Sequence, residues 1–303
     1  MSGAPHQPLR IAVCVPTRRR EQDLARALAS LSELEIPQGA EVRVVVVEND
    51  DAHARPLPTC TLPIERVFEP RTGIPFARNR ALDAVRHASD RIVFIDDDET
   101  VERDLLVRLL EIERATGADA VTGPSLPRFA GDAPAWAARS RAFEPQRYAT
   151  GSLRPTAFTN NVMFRTDAVR DGTLRFDESM RFTGGSDKEF FARFVASGRT
   201  IAWADDAVAY EWYPRARTSF GWLFQRSFRL GSVARQTEGL AGLRGRLAVC
   251  WRAVRFALRA AWRALKSLHD PAVALAHAAW DTGRAAGLAY GAFGGRYDEY
   301  RSR

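Results

Sequence analysis

The sequence has few of the features that mark secreted or membrane-spanning proteins. Its three cysteines, Cys14, Cys60 and Cys250, are far apart and match neither a zinc pattern nor a disulfide framework, which predicts a reducing compartment. Residues 1–10 contain no apolar core, so we expect no signal peptide. No stretch approaches about 18 uninterrupted apolar residues, so the sequence predicts no transmembrane span. We therefore expect a cytoplasmic protein.

Two other signatures are also missing. The first apolar run ends in Pro16-Thr17-Arg18, where a dinucleotide-dependent oxidoreductase would carry Gly-x-Gly-x-x-Gly. The basic residues match no known nucleic-acid recognition module, which disfavours a nucleic-acid binder. The net charge of +7 comes from residues 240–303, which carry eleven basic and four acidic side chains. An anionic partner is therefore expected to bind this tail.

Apolar runs alternate with helical patterns along most of the chain. The predicted strands are Leu9–Val15, Val42–Val47, Ile64–Phe68, Ile92–Ile95, Asn160–Arg165 and Thr200–Ala204. The predicted helices are Glu21–Leu34, Phe76–His87, Val101–Thr116 and Asp187–Ser197. This alternation predicts an α/β fold with a mixed, mostly parallel sheet flanked by helices. We divide the chain into an α/β domain, residues 1–239, and a basic helical tail, residues 240–303.

Three adjacent aspartates, Asp96-Asp97-Asp98, directly follow the apolar run Ile92–Ile95. A packed strand interior does not tolerate three neighbouring carboxylates, because an unpaired buried charge is very costly. The aspartates must therefore lie at the edge of the sheet, where open α/β sheets bind ligands. Mg²⁺ or Mn²⁺ is the simplest counter-ion for such a cluster. The alternative is an acidic start to the next helix, which explains Glu99 better than the three aspartates.

Further polar clusters follow other predicted strands. Thr17 ends the first strand and Glu48–Asp51 follows the second, so a carboxylate there can accept hydrogen bonds from a base or a ribose. The alternative is an ordinary turn, which favours the same residue types. Arg71, Arg78 and Asn79 surround the start of a helix, a position suited to phosphate or to a carboxylate. A solvated surface arginine is the alternative there.

Two later segments carry candidate chemistry. Asp187 starts the helix predicted over Asp187–Ser197, directly after a Gly-Gly turn and a serine. It is either a general base that deprotonates an attacking hydroxyl or a helix N-cap, and the local sequence leaves both open. Gln225, Arg226 and Arg229 lie on consecutive helical turns, where they either cover a diphosphate or form a solvated basic face.

Taken in order, these motifs resemble those of family 2 glycosyltransferases with the GT-A fold, most of all the bacterial exopolysaccharide glucosyltransferases of the succinoglycan type. The matching segments are Val15-Pro16-Thr17, Glu48-Asn49-Asp50, Gly73 to Asn79, Asp96-Asp97-Asp98, Thr159-Asn160-Asn161, Gly184 to Asp187, and Gln225-Arg226 with Arg229. Each motif is weak alone, but the ordered set is specific. The resemblance implies an inverting transfer from a nucleotide-diphospho-sugar, with a UDP-sugar as the first expectation.

The resemblance also implies a role for each matching residue. The implied donor-binding residues are Pro16, Thr17, Arg18, Glu48, Asp50, Arg71, Arg78, Asn79, Asp96, Asp97, Arg226 and Arg229. The implied acceptor-binding residues are Asn160, Asn161, Gly185, Ser186 and Trp222. Asp98 would hold Mn²⁺ or Mg²⁺ on the diphosphate, and Asp187 would be the catalytic base.

This chain departs from the family pattern at two positions. Ser186 stands where the family often has an acidic residue just before the base. Glu48 and Asp50 both compete for the place of the usual nucleobase aspartate, with Asn49 between them. The departures concern the acceptor and nucleobase contacts and leave the expected base unchanged.

The tail has the pattern of an amphipathic helix. Its apolar stripe consists of Leu243, Leu247, Trp251, Val254, Leu258, Trp262 and Leu265, and its basic stripe of Arg252, Arg255, Arg259, Arg263 and Lys266. Each stripe covers an arc of roughly 100° on the helix. We expect residues 243–266 to lie on an anionic membrane, the inner face of a bacterial plasma membrane, near a saccharide or lipid-linked acceptor. The alternatives are packing against the α/β domain or a homodimer.

The first functional hypothesis is therefore a membrane-associated, metal-dependent glycosyltransferase of polysaccharide or glycoconjugate biosynthesis. The alternative is a non-catalytic nucleotide-sugar-binding or membrane scaffold that retains the fold. The two differ in whether Asp187 and Asp98 are needed for donor turnover.

Overall fold

The computed structural model describes residues 7–50, 56–234, 242–265 and 270–295. The strands are β1 Leu9–Thr17, β2 Ala40–Glu48, β3 Ile64–Phe68, β4 Arg91–Phe94, β5 Glu99–Val101, β6 Ala120–Thr122, β7 Ser125–Phe129, β8 Val162–Arg165, β9 Ile201–Trp203 and β10 Ala209–Tyr213. The helices are α1 Glu21–Ser32, α2 Ile74–Val85, α3 Leu105–Thr116, α4 Ala135–Ser140, α5 Ser186–Ala196, α6 Phe220–Ser232, α7 Gly242–Leu265 and α8 Pro271–Ala292. Single 3₁₀ turns lie at Thr166–Ala168, Glu178–Met180 and Arg215–Arg217.

The chain divides into two compact units. The first comprises residues 1–125, 145–178 and 190–211, and the second comprises residues 126–144, 179–189 and 212–303. The second unit therefore includes two short internal segments besides the C-terminal part of the chain. The division expected from the sequence lies elsewhere, between residues 239 and 240.

The first unit is built on a seven-stranded sheet of order β3-β2-β1-β4-β8-β6-β9. β1 pairs in parallel with both β2 and β4, and β2 pairs in parallel with β3. Only β8 runs against its neighbours, because it pairs antiparallel with β4 and with β6. The mixed, mostly parallel sheet flanked by helices that the sequence predicts is confirmed, as are helices at the C-terminal end.

The core of this unit lies on both faces of the sheet because successive strand residues point to opposite faces. On one face, Ile11 and Val13 share a cluster with the apolar residues of α1 and α3, including Leu28 and Leu109. On the other face, Cys14 packs in a cluster with Ala81 of α2 and its neighbours. Phe190, Phe191 and Phe194 join this second cluster. Their rings pack around Phe164 and Phe176.

One helix begins later than its sequence pattern predicts. α3 begins at Leu105 and not at Val101. The residues before it, Glu99–Val101, form β5, which pairs antiparallel with Ala209–Glu211 of β10. Such long-range pairing is a tertiary effect that local periodicity does not reveal.

The second unit contains a close helix–helix contact between α6 and α8. A methyl group at Gly287 would lie 2.0 Å from the Phe228 carbonyl oxygen, and one at Gly291 would lie 2.4 Å from the Ser232 carbonyl oxygen. Gly283 has the same environment, since a methyl group there would lie 2.3 Å from the Phe224 carbonyl oxygen. Glycines at every fourth position of α8 therefore let the two helix backbones approach each other closely.

A buried ion pair joins α7 to α8. Asp281 of α8 is fully buried and accepts hydrogen bonds from Arg259 at 3.0 Å and from Arg263 at 2.9 Å, both on α7. Val249 of α7 and Leu288 of α8 pack in a small apolar cluster beside this contact. No helix within the described residues is long and apolar enough to cross a membrane.

A matched pair of glycine substitutions tests the α6–α8 contact. Gly287→Ala is expected to lower the free energy of unfolding by about 1–3 kcal/mol, because the methyl group overlaps the Phe228 carbonyl. Gly221→Ala in α6, where nothing lies within 4 Å, is expected to be neutral or to stabilise by up to about 1 kcal/mol. Urea unfolding followed by circular dichroism measures both, and equal effects would contradict the contact.

Candidate functional site

The carboxyl ends of three parallel strands meet at one edge of the sheet in the first unit. The register aligns Thr17 at the end of β1 with Glu48 at the end of β2, and aligns Cys14 of β1 with Phe94 at the end of β4. The residues that follow β4 are Ile95 and the three aspartates. The structure therefore brings together the polar strand ends that the sequence analysis identifies.

Asp97 is the buried member of the aspartate cluster. The Thr17 hydroxyl donates a hydrogen bond of 2.7 Å to its carboxylate, and Nη1 of Arg20 donates another of 2.9 Å. Burial raises the pKa of Asp97 to about 6; the charge of Arg20 opposes this shift and that of Asp98 adds to it. Asp97 therefore links the ends of β1 and β4.

Arg20 is a site residue that the sequence analysis missed. The same Nη1 atom that binds Asp97 also lies 3.2 Å from a carboxylate oxygen of Asp98. One guanidinium group thus supplies positive charge to two adjacent carboxylates. The only sequence signal for it was the run of three arginines that begins at Arg18.

The outer aspartates have different surroundings. The Asp96 carboxylate lies 3.7 Å from a guanidinium nitrogen of the nearly buried Arg78. The Asp96 backbone N–H donates to Glu99 at 3.0 Å, and the Ser125 hydroxyl donates to the same Glu99 side chain. Burial, followed by the nearby charge of Asp96, raises the pKa of Glu99 well above its usual range. Glu99 therefore stabilises the backbone of the aspartate cluster.

The donor set of this cluster fits an open cation site. Within the described residues, no group of three or more His, Cys, Asp and Glu side chains converges as it would to enclose a metal ion. Mg²⁺ and Mn²⁺ do not require such a cage, because they are held by one or two carboxylates together with substrate phosphates and water. Asp96 and Asp98 keep 35% and 11% of their side-chain surface exposed, and both offer carboxylate oxygens.

An open cleft lies beside this edge of the sheet. Its lining includes Thr17, Arg18, Glu48 and Asp50, four of the predicted donor-binding residues. Leu24, Leu57 and Pro58 supply apolar surface. The predicted Pro16 is buried in β1, opposite Val47 of β2.

The two competing carboxylates of this cleft are both paired. Arg19 binds Asp50 through two nitrogens, with Nη2 to Oδ1 at 2.9 Å, and Arg66 binds Glu48. Asn49, which lies between them, is engaged in hydrogen bonds to the backbone and does not compete for the nucleobase. Its side chain accepts the Gly73 backbone N–H at 2.9 Å and donates to the carbonyl of Arg71 at 2.7 Å.

Arg71 and Asn79 are held by contacts within the first unit. Arg71 pairs with Glu69 at 2.8 Å, lowering the pKa of that carboxyl group, and lies 3.4 Å from Glu178. The Asn79 amide exchanges hydrogen bonds of 2.9 and 3.0 Å with the backbone of Phe176 and also binds Glu178. The exposed guanidinium of Arg71 stays close to the loop that Asn49 fixes.

The predicted acceptor residues Asn160 and Asn161 are neighbours with different exposure. Asn161 is fully buried, and its amide nitrogen donates to the carbonyls of Pro124 at 3.0 Å and of Ala207 at 2.8 Å. Asn160 is partly exposed. The two side chains therefore have different access to a ligand.

In the second unit, Asp187 follows a turn that requires glycine. Gly184 and Gly185 have φ angles of 72° and 83°, in the left-handed region that favours glycine. α5 begins at Ser186, which is fully buried, so Asp187 lies inside the first helical turn and accepts the Lys188 backbone N–H at 2.7 Å. Asp187 itself is partly exposed, as access to a substrate requires.

The two predicted arginines of α6 also lie in the second unit. A methyl group at Gly184 would lie 3.9 Å from the Arg229 side chain, so Arg229 lies beside the turn that precedes Asp187. Arg226 lies over the rings of Trp222 at 5.1 Å and of Tyr213 at 5.6 Å. Trp222, a predicted acceptor residue, packs on Phe143 in the same aromatic cluster.

Several known proteins are similar to this chain. The succinoglycan biosynthesis protein ExoM of Rhizobium meliloti (strain 1021) is 39% identical over 243 residues, which cover 78% of this chain and 76% of that protein. The mannosyltransferase PcManGT of Pyrobaculum calidifontis, solved in complex with GDP-Man and Mn²⁺, has 18% identity and a TM-score of 0.60, covering 96% and 89% of the two chains. TarS 1–349 of S. aureus, solved with UDP-GlcNAc, has 14% identity and a TM-score of 0.50, covering 91% and 90%.

These two structural likenesses concern the fold alone, which is that of GT-A glycosyltransferases. The family itself follows from the sequence: the glycosyl transferase family 2 model matches residues 12–174, more than half of the chain, and includes the strand ends and the aspartate cluster described above. Together with the identity to ExoM, this match shows that the chain is a glycosyltransferase and belongs to glycosyl transferase family 2.

Proposed function

We propose that this glycosyltransferase moves a sugar from a nucleotide-diphospho-sugar to a hydroxyl group of a saccharide or lipid-linked acceptor, with inversion at the anomeric carbon. The observation that carries the proposal is the polar edge of the sheet, where a cleft lined by Thr17, Arg18, Glu48 and Asp50 adjoins the aspartate cluster. This combination suits a ligand with a base at one end and a charged diphosphate next to it.

The donor is recognised in two parts in this proposal. The nucleobase and ribose occupy the cleft, where the Thr17 hydroxyl and the carboxylates of Glu48 and Asp50 accept hydrogen bonds. Arg71 and Arg78 supply positive charge on the diphosphate side, and Asp96 contacts the ribose or the sugar. A UDP-sugar is the first donor to test and GDP-mannose the second, because structural relatives were solved with donors of these two kinds.

Asp98 would hold Mn²⁺ or Mg²⁺, with Asp97 as its supporting neighbour. A divalent cation there would supply positive charge to a leaving nucleoside diphosphate. Arg20 already shares its charge between Asp97 and Asp98, so it holds these two carboxylates side by side before a donor arrives.

Asp187 acts as the catalytic base. Its carboxylate takes the proton of the acceptor hydroxyl while that oxygen attacks the anomeric carbon from the face opposite the leaving group. Its partial exposure and its position directly after the Gly184-Gly185 turn support this role. Arg229 beside that turn and Arg226 are the residues of α6 assigned to the donor side.

The acceptor contacts are assigned to Asn160, Gly185 and Trp222. Asn161 and Ser186 are their fully buried neighbours, and Asn161 fixes the backbone beside Asn160. The relative ExoM is named for succinoglycan biosynthesis, which supports a role in exopolysaccharide assembly for this chain. We accordingly place it in the cytoplasm, at the inner face of the bacterial plasma membrane.

Replacement of the base tests the catalytic assignment against the alternative of a non-catalytic scaffold. Asp187→Asn is expected to lower kcat for release of nucleoside diphosphate by about 10²–10⁴-fold, because the proton has no acceptor, while the donor Kd stays within about twofold. Glu189→Gln, which removes a carboxylate from the same helical turn, is the matched control and should keep near-normal kcat. Equal turnover in all three proteins would contradict the role of Asp187.

Replacement of the metal ligand tests the cation site. Asp98→Asn is expected to lower Mn²⁺-supported turnover by about a hundredfold or more, because the cation no longer stabilises the leaving diphosphate. Asp104→Asn, an aspartate at the start of α3, is the control and should behave as the wild type. A donor screen with and without EDTA reads out released nucleoside diphosphate, and wild-type activity that survives EDTA would exclude the metal role of Asp98.

A further inference from the structure

Helix α7 has two apolar faces, and only one of them is covered. Val249, Ala253 and Ala260 are buried, and Val249 and Ala253 pack in the cluster that includes Leu288 of α8. At 100° per residue, Trp251 and Leu258 lie on roughly the opposite side of the helix from Val249. The helix therefore already has a packing face toward α8, and its second apolar face must have another use.

This second face, the outer face, is exposed along its whole length. It consists of Leu247, Trp251, Val254, Leu258 and Trp262, whose residues are 62%, 64%, 48%, 65% and 55% exposed. Single exposed apolar residues are common, but a continuous row of large ones marks an interaction surface.

The charge beside the outer face has one sign. α7 contains no acidic residue, and Arg244, Arg246 and Arg255 are exposed. Arg259 and Arg263, assigned to the same basic stripe by the sequence analysis, instead pair with the buried Asp281. These two arginines hold α7 on α8, while Arg244 and Arg255 border the outer face.

We propose that the outer face of α7 docks on an anionic lipid surface, with Trp251 and Leu258 in the interfacial layer and Arg244 and Arg255 at the lipid head groups. A row of apolar side chains bordered by arginines has the chemistry of an interfacial helix. A second copy of the chain is the weaker occupant, because its own outer face carries the same positive charge and would repel the first.

This docking does not depend on the transfer reaction. It concerns the second unit, and none of its residues belongs to the donor, metal or base assignments. A protein that does not bind lipid could still be an active transferase, and a protein without transferase activity could still bind lipid. Binding of the full-length protein to vesicles and its donor hydrolysis are therefore measured separately.

Sedimentation with vesicles tests the proposal. The full-length protein is expected to sediment with vesicles of equal parts phosphatidylcholine and phosphatidylglycerol, and much less with pure phosphatidylcholine, because the arginines need anionic head groups. The double variant Trp251→Glu/Leu258→Glu is expected to lose about tenfold or more of this binding. Leu153→Glu, at a residue of the first unit that is 64% exposed, is the matched control and should bind as the wild type does.

The readouts separate the occupants of the face. Unchanged donor hydrolysis and thermal unfolding in the double variant, combined with lost vesicle binding, support the proposal. Vesicle binding that persists in the double variant overturns it. A wild-type protein that binds neither kind of vesicle also overturns it. Light scattering that shows a dimer in the wild type but not in the double variant would identify a second copy as the occupant and contradict the proposal.

Discussion

The candidate site depends on how three successive carboxylates are accommodated where β4 ends. Like charges at this spacing repel one another, and burial of one of them adds a desolvation cost. Nearby groups offset these costs. The Thr17 hydroxyl and the Arg20 guanidinium bind Asp97, Arg20 also binds Asp98, and Arg78 lies near Asp96. These contacts join the ends of β1 and β4 and hold the carboxylates at the edge where the cleft opens.

The sequence predicted six strands of the seven-stranded sheet and the position of the aspartate cluster, because their signals are local. The apolar run before Asp96 is stable only as a buried strand. Three carboxylates directly after it must lie at the end of that strand, where charge can be solvated or paired. The partners of these carboxylates were not predictable in the same way. Arg20 binds residues 77 and 78 positions later in the chain, and no periodicity links the two segments. The β5–β10 pairing was missed for the same reason.

The helices of the second unit illustrate a related limit. The amphipathic pattern of α7 was visible, and so was the charge of its arginines. The pattern did not reveal that a narrow row of small residues packs on α8, nor that Asp281 engages two of the arginines. Asn161 is a similar case in the first unit, since its motif suggests ligand contact while its amide binds two backbone carbonyls. Polar residues in family motifs therefore divide between substrate contact and structural support, and only their hydrogen-bond partners distinguish the two.

The central proposal is that the cluster after β4 is an open cation site which the donor's diphosphate completes. Titration calorimetry of Mn²⁺ into the wild-type protein, with and without a saturating nucleoside diphosphate, tests it most directly. The account predicts weak Mn²⁺ binding alone, because Arg20 occupies the same carboxylates, and binding that is at least about tenfold tighter with the nucleotide, with an equal gain in nucleotide affinity from Mn²⁺. Mn²⁺ affinity that does not change with the nucleotide would contradict the claim.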